Sequence, residues 1–310
     1  MFYNNIWLDI RGEFMAFKRF FKKNGIGYLF LSPWLIGLVT FTIIPIIFSM
    51  YLSFTDYDLF SNPTWVGLDN YINMFTLDAR FINSLKVTFI YVFFGVFFEL
   101  CFALLLAIIL NKGLFGLRLY RAIYYVPSLF GASVAIALLW RQVFGGNGFI
   151  NEILAWFGIE GHNWISNPDY ALWTLIILKT WQFGAPMIIF LAGLKQIPGD
   201  LYEAAMVDGA NKWKQFLKVT IPLLTPIIFF NMIMQMINSF QAFTSAYIVS
   251  NGSGGPLDST LFYTLYLYQQ GFQNFKMGYA SSMAWVLLVI IAFFTALAFL
   301  SAKKWVHYEQ

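Results

Sequence analysis

The chain has 310 residues, of which 59% are hydrophobic, 21% aromatic and only 11% charged, and its mean hydropathy is +0.66. A soluble domain carries about a quarter of its residues as charges, so this composition belongs to a polytopic membrane protein. The net charge is only +4 and the Lys and Arg residues gather beside apolar runs, which excludes nucleic acid as a partner and makes membrane lipid the expected surroundings.

Residues 1–27 form a basic N-terminal segment carrying Arg11, Lys18, Arg19, Lys22 and Lys23. Met15 opens an ordinary basic lead-in, MAFKRFFKKNG, so residues 1–14 read as an extension or a start-site artefact. Six apolar stretches follow, at about 28–54, 83–110, 122–144, 170–194, 221–249 and 278–302, each reaching the roughly 20 residues that a helix needs to cross the hydrocarbon core. They lack the alternation of a barrel strand, and only helices or closed barrels satisfy their backbone in lipid. The first is too long, and lacks the small-residue site, to be a cleavable signal. The fold class predicted is therefore an all-α polytopic membrane protein, with about six transmembrane helices in residues 28–302 and a tail at 303–310.

Basic residues orient the spans. Lys112, Arg118 and Arg121 follow the second span, Lys195, Lys212, Lys214 and Lys218 follow the fourth, and Lys303 and Lys304 follow the sixth. The alternate loops carry mainly acids, among them Asp56, Asp58, Asp69, Asp78, Glu152, Glu160 and Asp258. Both termini and residues 196–220 are thus expected on the cytoplasmic side.

Much chemistry is missing. Cys101 stands alone, so neither a disulfide framework nor a cysteine-based metal site is expected, and His162 and His307 lie outside the spans, where they cannot hold a haem. No phosphate-binding G-x-x-x-x-G-K-[ST] occurs, and NGSGGP (Asn251 to Pro256) reads as a turn-rich outer loop. With no nucleophile–base pair either, transport is the default reading, ahead of a membrane-embedded enzyme or a scaffold.

The cytoplasmic stretch IPGDLYEAAMVDGANKWKQFLKVTIP reads as two short helices and the start of a span. Asp200 is the expected N-cap, with Glu203 completing a capping box, and Gly209 is the expected terminator. Asn211 is placed to cap a second helix with Trp213, Phe216 and Leu217 on one side and Lys212, Lys214 and Lys218 on the other. Pro222 then suits the first turn of the fifth span. These residues fit an interfacial helix on the inner leaflet. They equally fit a docking knob, in which small Ala204 and Ala205 admit a partner's backbone and Glu203 and Asp208 offer charges for pairing.

Within the spans, polar side chains face a partner helix or a wet cavity. Asn231, Gln235, Asn238 and Ser245 of the fifth span fall within roughly 80° of one another at 100° per residue, with Gln241 at the border. Their neutral amides and hydroxyls both donate and accept, which suits sugar hydroxyls better than ions. Trp181 and Gln182 in the fourth span, with Phe240 and Phe243, are further pathway candidates. Interhelical hydrogen bonding is the competing explanation for all of them. Glu99 and Lys179 are charges well inside the second and fourth spans; a mutual ion pair, a partner subunit, snorkelling or a proton-coupled site would each account for them.

Glu203-Ala204-Ala205, Gly209, and Val219-x-Ile221-Pro222 nine residues beyond it resemble the motif E-A-A-x3-G-x9-I-x-L-P of ABC-importer permeases, with Val219 in place of Ile and Ile221 in place of Leu. GYLFLSPWLIGLVTFTIIPIIFSMYLSFTDYD (Gly27 to Asp58) is similar to the first span of the MalF-type sugar permeases. YYVPSLFGASVAIALLWRQVFGGNGFIN resembles their third span, with Pro127, Trp140, Gly148 and Asn151 at recurrent positions. GGPLDSTLFYTLYLYQQGFQNFKMGYASSMAW resembles their last outer loop and sixth span. The resemblance covers nearly the whole chain and implies a type I ABC importer (MalF/MalG-like) permease fold in the bacterial inner membrane. It implies that Glu203, Ala204, Ala205, Asp208 and Gly209 dock an ATPase subunit as a coupling helix. It also implies a second, MalG-like permease, two ATP-binding subunits that hold ATP and Mg, an extracytoplasmic sugar-binding protein, and no cofactor or metal in this chain. Two rivals remain: the same architecture moving glycerol phosphate, an amino acid or phosphate, and a self-sufficient secondary transporter or channel, for which no internal repeat is visible.

Overall fold

The computed structural model describes residues 26–112, 116–131 and 133–307; the N-terminal segment up to residue 25, with its proposed extension, and residues 308–310 lie outside them. Four helices are long and apolar enough to span a membrane by themselves: α1 (Ile26–Leu52), α3 (Ala79–Leu110), α10 (Lys212–Phe240) and α13 (Met277–Trp305). Two further spans are bent pairs. Helices α4 (Leu117–Phe130) and α5 (Val134–Val143) meet at 100°, and α7 (Pro168–Trp181) and α8 (Gly184–Leu194) at 41°. Each pair covers a stretch expected to be a single straight span.

Between the spans lie a two-residue hairpin, β1 (Thr55–Asp56) paired antiparallel with β2 (Thr64–Trp65), and the short helices α2 (Asp69–Thr76), α6 (Phe149–Trp156), α9 (Gly199–Val207), α11 (Thr244–Val249) and α12 (Tyr263–Tyr268). Helix α3 is the central post, packing on α7, α8 and α10. Its N-terminus is fixed by Asp78, whose carboxylate accepts from the Phe81 N–H at 3.0 Å and from the hydroxyls of Tyr266 and Tyr279 at 2.7 and 2.6 Å. The same end of the molecule gathers the acidic loops: Arg80 makes a forked contact to Asp258, and Arg141 bonds Asn251. At the opposite end Tyr202 meets Thr220 at 2.9 Å, and the His307 N–H donates to Thr225 at 2.9 Å. The loops expected outside and those expected in the cytoplasm are thereby sorted to opposite ends.

Two prolines explain a shared irregularity. Residues 39–43 of α1 and 216–220 of α10 are π turns, and Pro45 and Pro222 follow each by two residues. A proline ring presses on the carbonyl four residues back, here Phe41 and Lys218, and the wider turn moves that carbonyl aside. The Ile221 N–H accordingly reaches the carbonyl of Phe216. The second cytoplasmic helix is consequently not a separate element: it runs through the π turn into the fifth span, which begins at Lys212 rather than near 221.

Candidate functional site

Three expected spans break at comparable places, and the breaks converge. The third is interrupted at Gly131, the fourth at Gln182–Phe183, and the fifth at Gln241–Phe243, where α10 ends and α11 begins. Gly131, Gln182, Gln241, Ala242 and Phe243 line one cavity of about 450 Å³. Broken backbone is tolerated at membrane depth only where protein or a wet cavity satisfies it. Here the Gln182 amide donates to the Gly131 carbonyl at 2.9 Å, and the Thr264 hydroxyl donates to that of Ala242.

The wall facing these breaks comes from α3, α7, α10 and α11. Gln235, Asn238 and Ser239 project from the last turns of α10, Ser245 and Thr244 from α11, Tyr91 and Glu99 from α3, and Lys179 from α7. The Lys179 ammonium lies 3.0 Å from Glu99 Oε2 and donates to Gln235 Oε1 at 2.8 Å, so of the explanations left open for these charges the mutual ion pair is the one the structure forms. Gly95 of α3 makes room for it: a Cβ there would stand 3.2 Å from Lys179 Cγ.

The cavity therefore collects Gln182, Gln235, Asn238, Gln241, Ser245, Phe243, Glu99 and Lys179 from the sequence-based candidates. Three others are placed elsewhere. Asn231, one turn before Gln235, is buried away from the cavity, with no hydrogen bond to its amide atoms among the described residues. Trp181 packs beside Trp140 with ring centres 6.0 Å apart, because it stands two residues, about 200°, round α7 from the cavity-facing Lys179. Phe240 sits in an edge contact with Phe89 at 5.4 Å. Ser245 stands beyond the end of α10, so it joins the cavity through the break and not through the periodicity of one straight span. Sequence reasoning missed Tyr91, Ser128, Ser239 and Thr244. Of these only Ser239, four residues after Gln235, carried a periodic signal.

At the cytoplasmic end, α9 starts directly after Pro198, which takes the N-cap position with φ −61° and ψ 135°. The expected Asp200–Glu203 capping box does not form, because the proline sets the start two residues earlier. Asp200 lies instead in the first turn, where its charge complements the helix dipole. Gly209 does end the helix, at φ +74°, with the Ala210 N–H bonded to the Ala205 carbonyl at 2.9 Å and the Gly209 N–H to that of Met206 at 3.0 Å. These two bonds are a Schellman closure. Asn211 caps the next helix through the Lys214 N–H at 2.9 Å. Glu203, Ala204, Asp208 and Gly209 are exposed, Ala205 is half-buried, and Leu201, Met206 and Val207 also present apolar surface to the exterior.

A helical membrane chain whose spans break around a polar cavity, with a sharply closed surface helix at the opposite end of the fifth span, has the build of a transport permease. Residues 113–306 match the family described as "Binding-protein-dependent transport system inner membrane component", and the chain belongs to that family. It is 55% identical over 290 residues to the "Probable ABC transporter permease protein YesP" of Bacillus subtilis (strain 168), spanning 93% of this chain and 94% of that one. It is 32% identical over 296 residues to the "Probable starch degradation products transport system permease protein AmyD" of Thermoanaerobacterium thermosulfurigenes, spanning 94% and 99% of the two chains. Its fold superposes with TM-score 0.75, at 20% identity over 92% of this chain and 96% of the other, on a chain of a bacterial alginate ABC transporter solved in complex with an alginate pentasaccharide-bound periplasmic protein. The chain is thus a multi-pass inner-membrane component of a binding-protein-dependent transport system, with the type I importer fold.

Proposed function

We propose that this chain is one permease subunit of an ATP-driven importer of a sugar or oligosaccharide. It pairs with a second, MalG-like permease to enclose the pathway, receives solute from an extracytoplasmic binding protein, and is driven by two ATP-binding subunits that hold ATP and Mg. The observation that carries the sugar reading is the cavity wall. Its polar groups are neutral amides and hydroxyls with Tyr91 and Phe243 beside them, and the only charges among the described lining residues, Glu99 and Lys179, compensate each other. Such a wall suits hydroxyl-rich neutral solutes. An anionic solute such as glycerol phosphate would call for unpaired positive charge, which the described lining residues lack. Relatives named for starch degradation products, arabinooligosaccharides and lactose agree with this class.

In this reading α9 is the coupling helix. Exposed Ala204 admits close backbone approach, Met206 and Val207 supply apolar contact, and Glu203 and Asp208 pair with cations on the ATPase subunit. The Gly209 closure fixes the angle at which a push on α9 enters α10, and unbroken helix from Lys212 to Phe240 delivers it to the cavity. The test is uptake of maltotriose, arabinotriose and lactose by proteoliposomes holding the complex purified through this chain, with its binding protein supplied outside. ATP-dependent uptake of at least one is expected. Uptake confined to amino acids or phosphate, or uptake that persists without ATP, would overturn the reading.

A further inference from the structure

Glu99 and Lys179 ask for a reason beyond stability. Two charges removed from water are seldom a net stabilising device compared with apolar side chains of similar volume. Ionisable groups at membrane depth mark function by default. This pair also stands on the cavity wall and not in a helix–helix seam remote from it.

Its bonding is incomplete in a directed way. An ammonium has three donors, and Lys179 uses one on Gln235 and faces Glu99 with another, which leaves donor capacity. The Glu99 carboxylate makes no hydrogen bond among the described residues beyond its 3.0 Å charge contact, although an ionised carboxylate can accept about four. Both side chains are held: Gly95 packs on the lysine stem, and the side chains keep only 9% and 2% of their surface exposed. A donor and an acceptor fixed 3.0 Å apart in a largely dehydrated wall match the spacing of neighbouring hydroxyl oxygens on a sugar ring.

Resting on the saccharide reading above, we propose that Glu99 and Lys179 form a single specificity element of the solute site, which takes two neighbouring hydroxyls of one sugar ring. One hydroxyl accepts from the Lys179 ammonium and the other donates to the Glu99 carboxylate, while Gln235 holds the ammonium in place. The pair is net neutral, so the ring it grips is uncharged there, and its fixed donor–acceptor order reads the arrangement of the two hydroxyls.

A single substitution would strand the remaining charge, so the test uses paired changes: the exchange E99K/K179E and the neutral E99Q/K179Q. Assembly is read as co-purification with the partner subunits. KM is read from uptake of whichever of maltotriose, arabinotriose and lactose the wild-type complex transports best. A purely structural pair is rescued by the exchange, whereas a recognition element is not, because donor and acceptor have traded places. The expected result is that a variant which assembles shows at least a tenfold higher KM. A KM within twofold of wild type in an assembled variant overturns the assignment while leaving the saccharide reading intact, and so does failure of both variants to assemble. If the wild type transports none of the three sugars, the saccharide reading falls and this assignment falls with it.

Discussion

Gly209 offers the sharpest test of how work reaches the membrane. Its φ of +74° lies in the left-handed region, and a Cβ built there meets nothing within 4 Å. Replacement by Ala therefore brings no clash within the chain, only the backbone cost of an L-residue in that conformation, about 1–2 kcal/mol. That shifts the balance between the closed turn and a relaxed one by roughly 5- to 30-fold. Relaxation would break the Ala210–Ala205 and Gly209–Met206 bonds and change the direction in which the chain leaves α9. In proteoliposomes, G209A is expected to lose ATP-driven uptake by several-fold, with G209V worse because a β-branched side chain resists this region more strongly. G209N should stay near wild type, since Asn tolerates it. Membrane insertion, read by immunoblot, should be equal in all three. Normal uptake in G209V, or a loss in G209N as deep as in G209V, would refute the backbone argument.

Two further outcomes follow from the outer loops. Gly278 of α13 donates its N–H to the Tyr57 carbonyl at 3.1 Å, and a Cβ there would stand 2.0 Å from the Thr55 carbonyl oxygen. Because that obstacle is backbone, G278A is expected to destabilise by about 1–3 kcal/mol, as overpacking does, and to lower the thermal midpoint of the purified protein. An unchanged midpoint would contradict the close packing. Asp58 accepts from the Ser61 hydroxyl at 2.7 Å and from the Ser61 and Phe60 N–H groups at 2.8 and 3.0 Å. These bonds, the Ser61 hydroxyl first, hold its carboxyl below the ordinary carboxylate value. A lowered value means that the turn is favoured above the unfolded carboxylate's pKa and loses that support as pH falls through the folded one. S61A should move the Asp58 titration upward in a carbon-13 carboxylate NMR experiment, and no movement would show that the hydroxyl contributes nothing.

Residues with one local solution were legible. Gly209 followed from its place after a helix-prone run, because few residues other than glycine turn left-handed cheaply. Asn211 followed from capping chemistry and the span positions from apolar length. The capping box failed because Pro198 competed for the same helix start, a contest that residue preference alone does not decide.

The sequence by itself determined the class of the molecule, since composition, apolar length and the placement of basic residues leave a multi-span helical protein as the solution. It also supplied the residue types of the pathway. Only the tertiary structure decided which of them meet. Trp181, Asn231 and Phe240 have the chemistry of the cavity but not the position, whereas Tyr91 and Ser128 enter it from helices on which no polar stripe announced them. The reason is physical: a helical wheel gives direction but not depth and assumes a straight helix, whereas this site sits at one level, where three spans break. Each break turns its side chains through an angle set by neighbouring helices, which periodicity within one span does not encode.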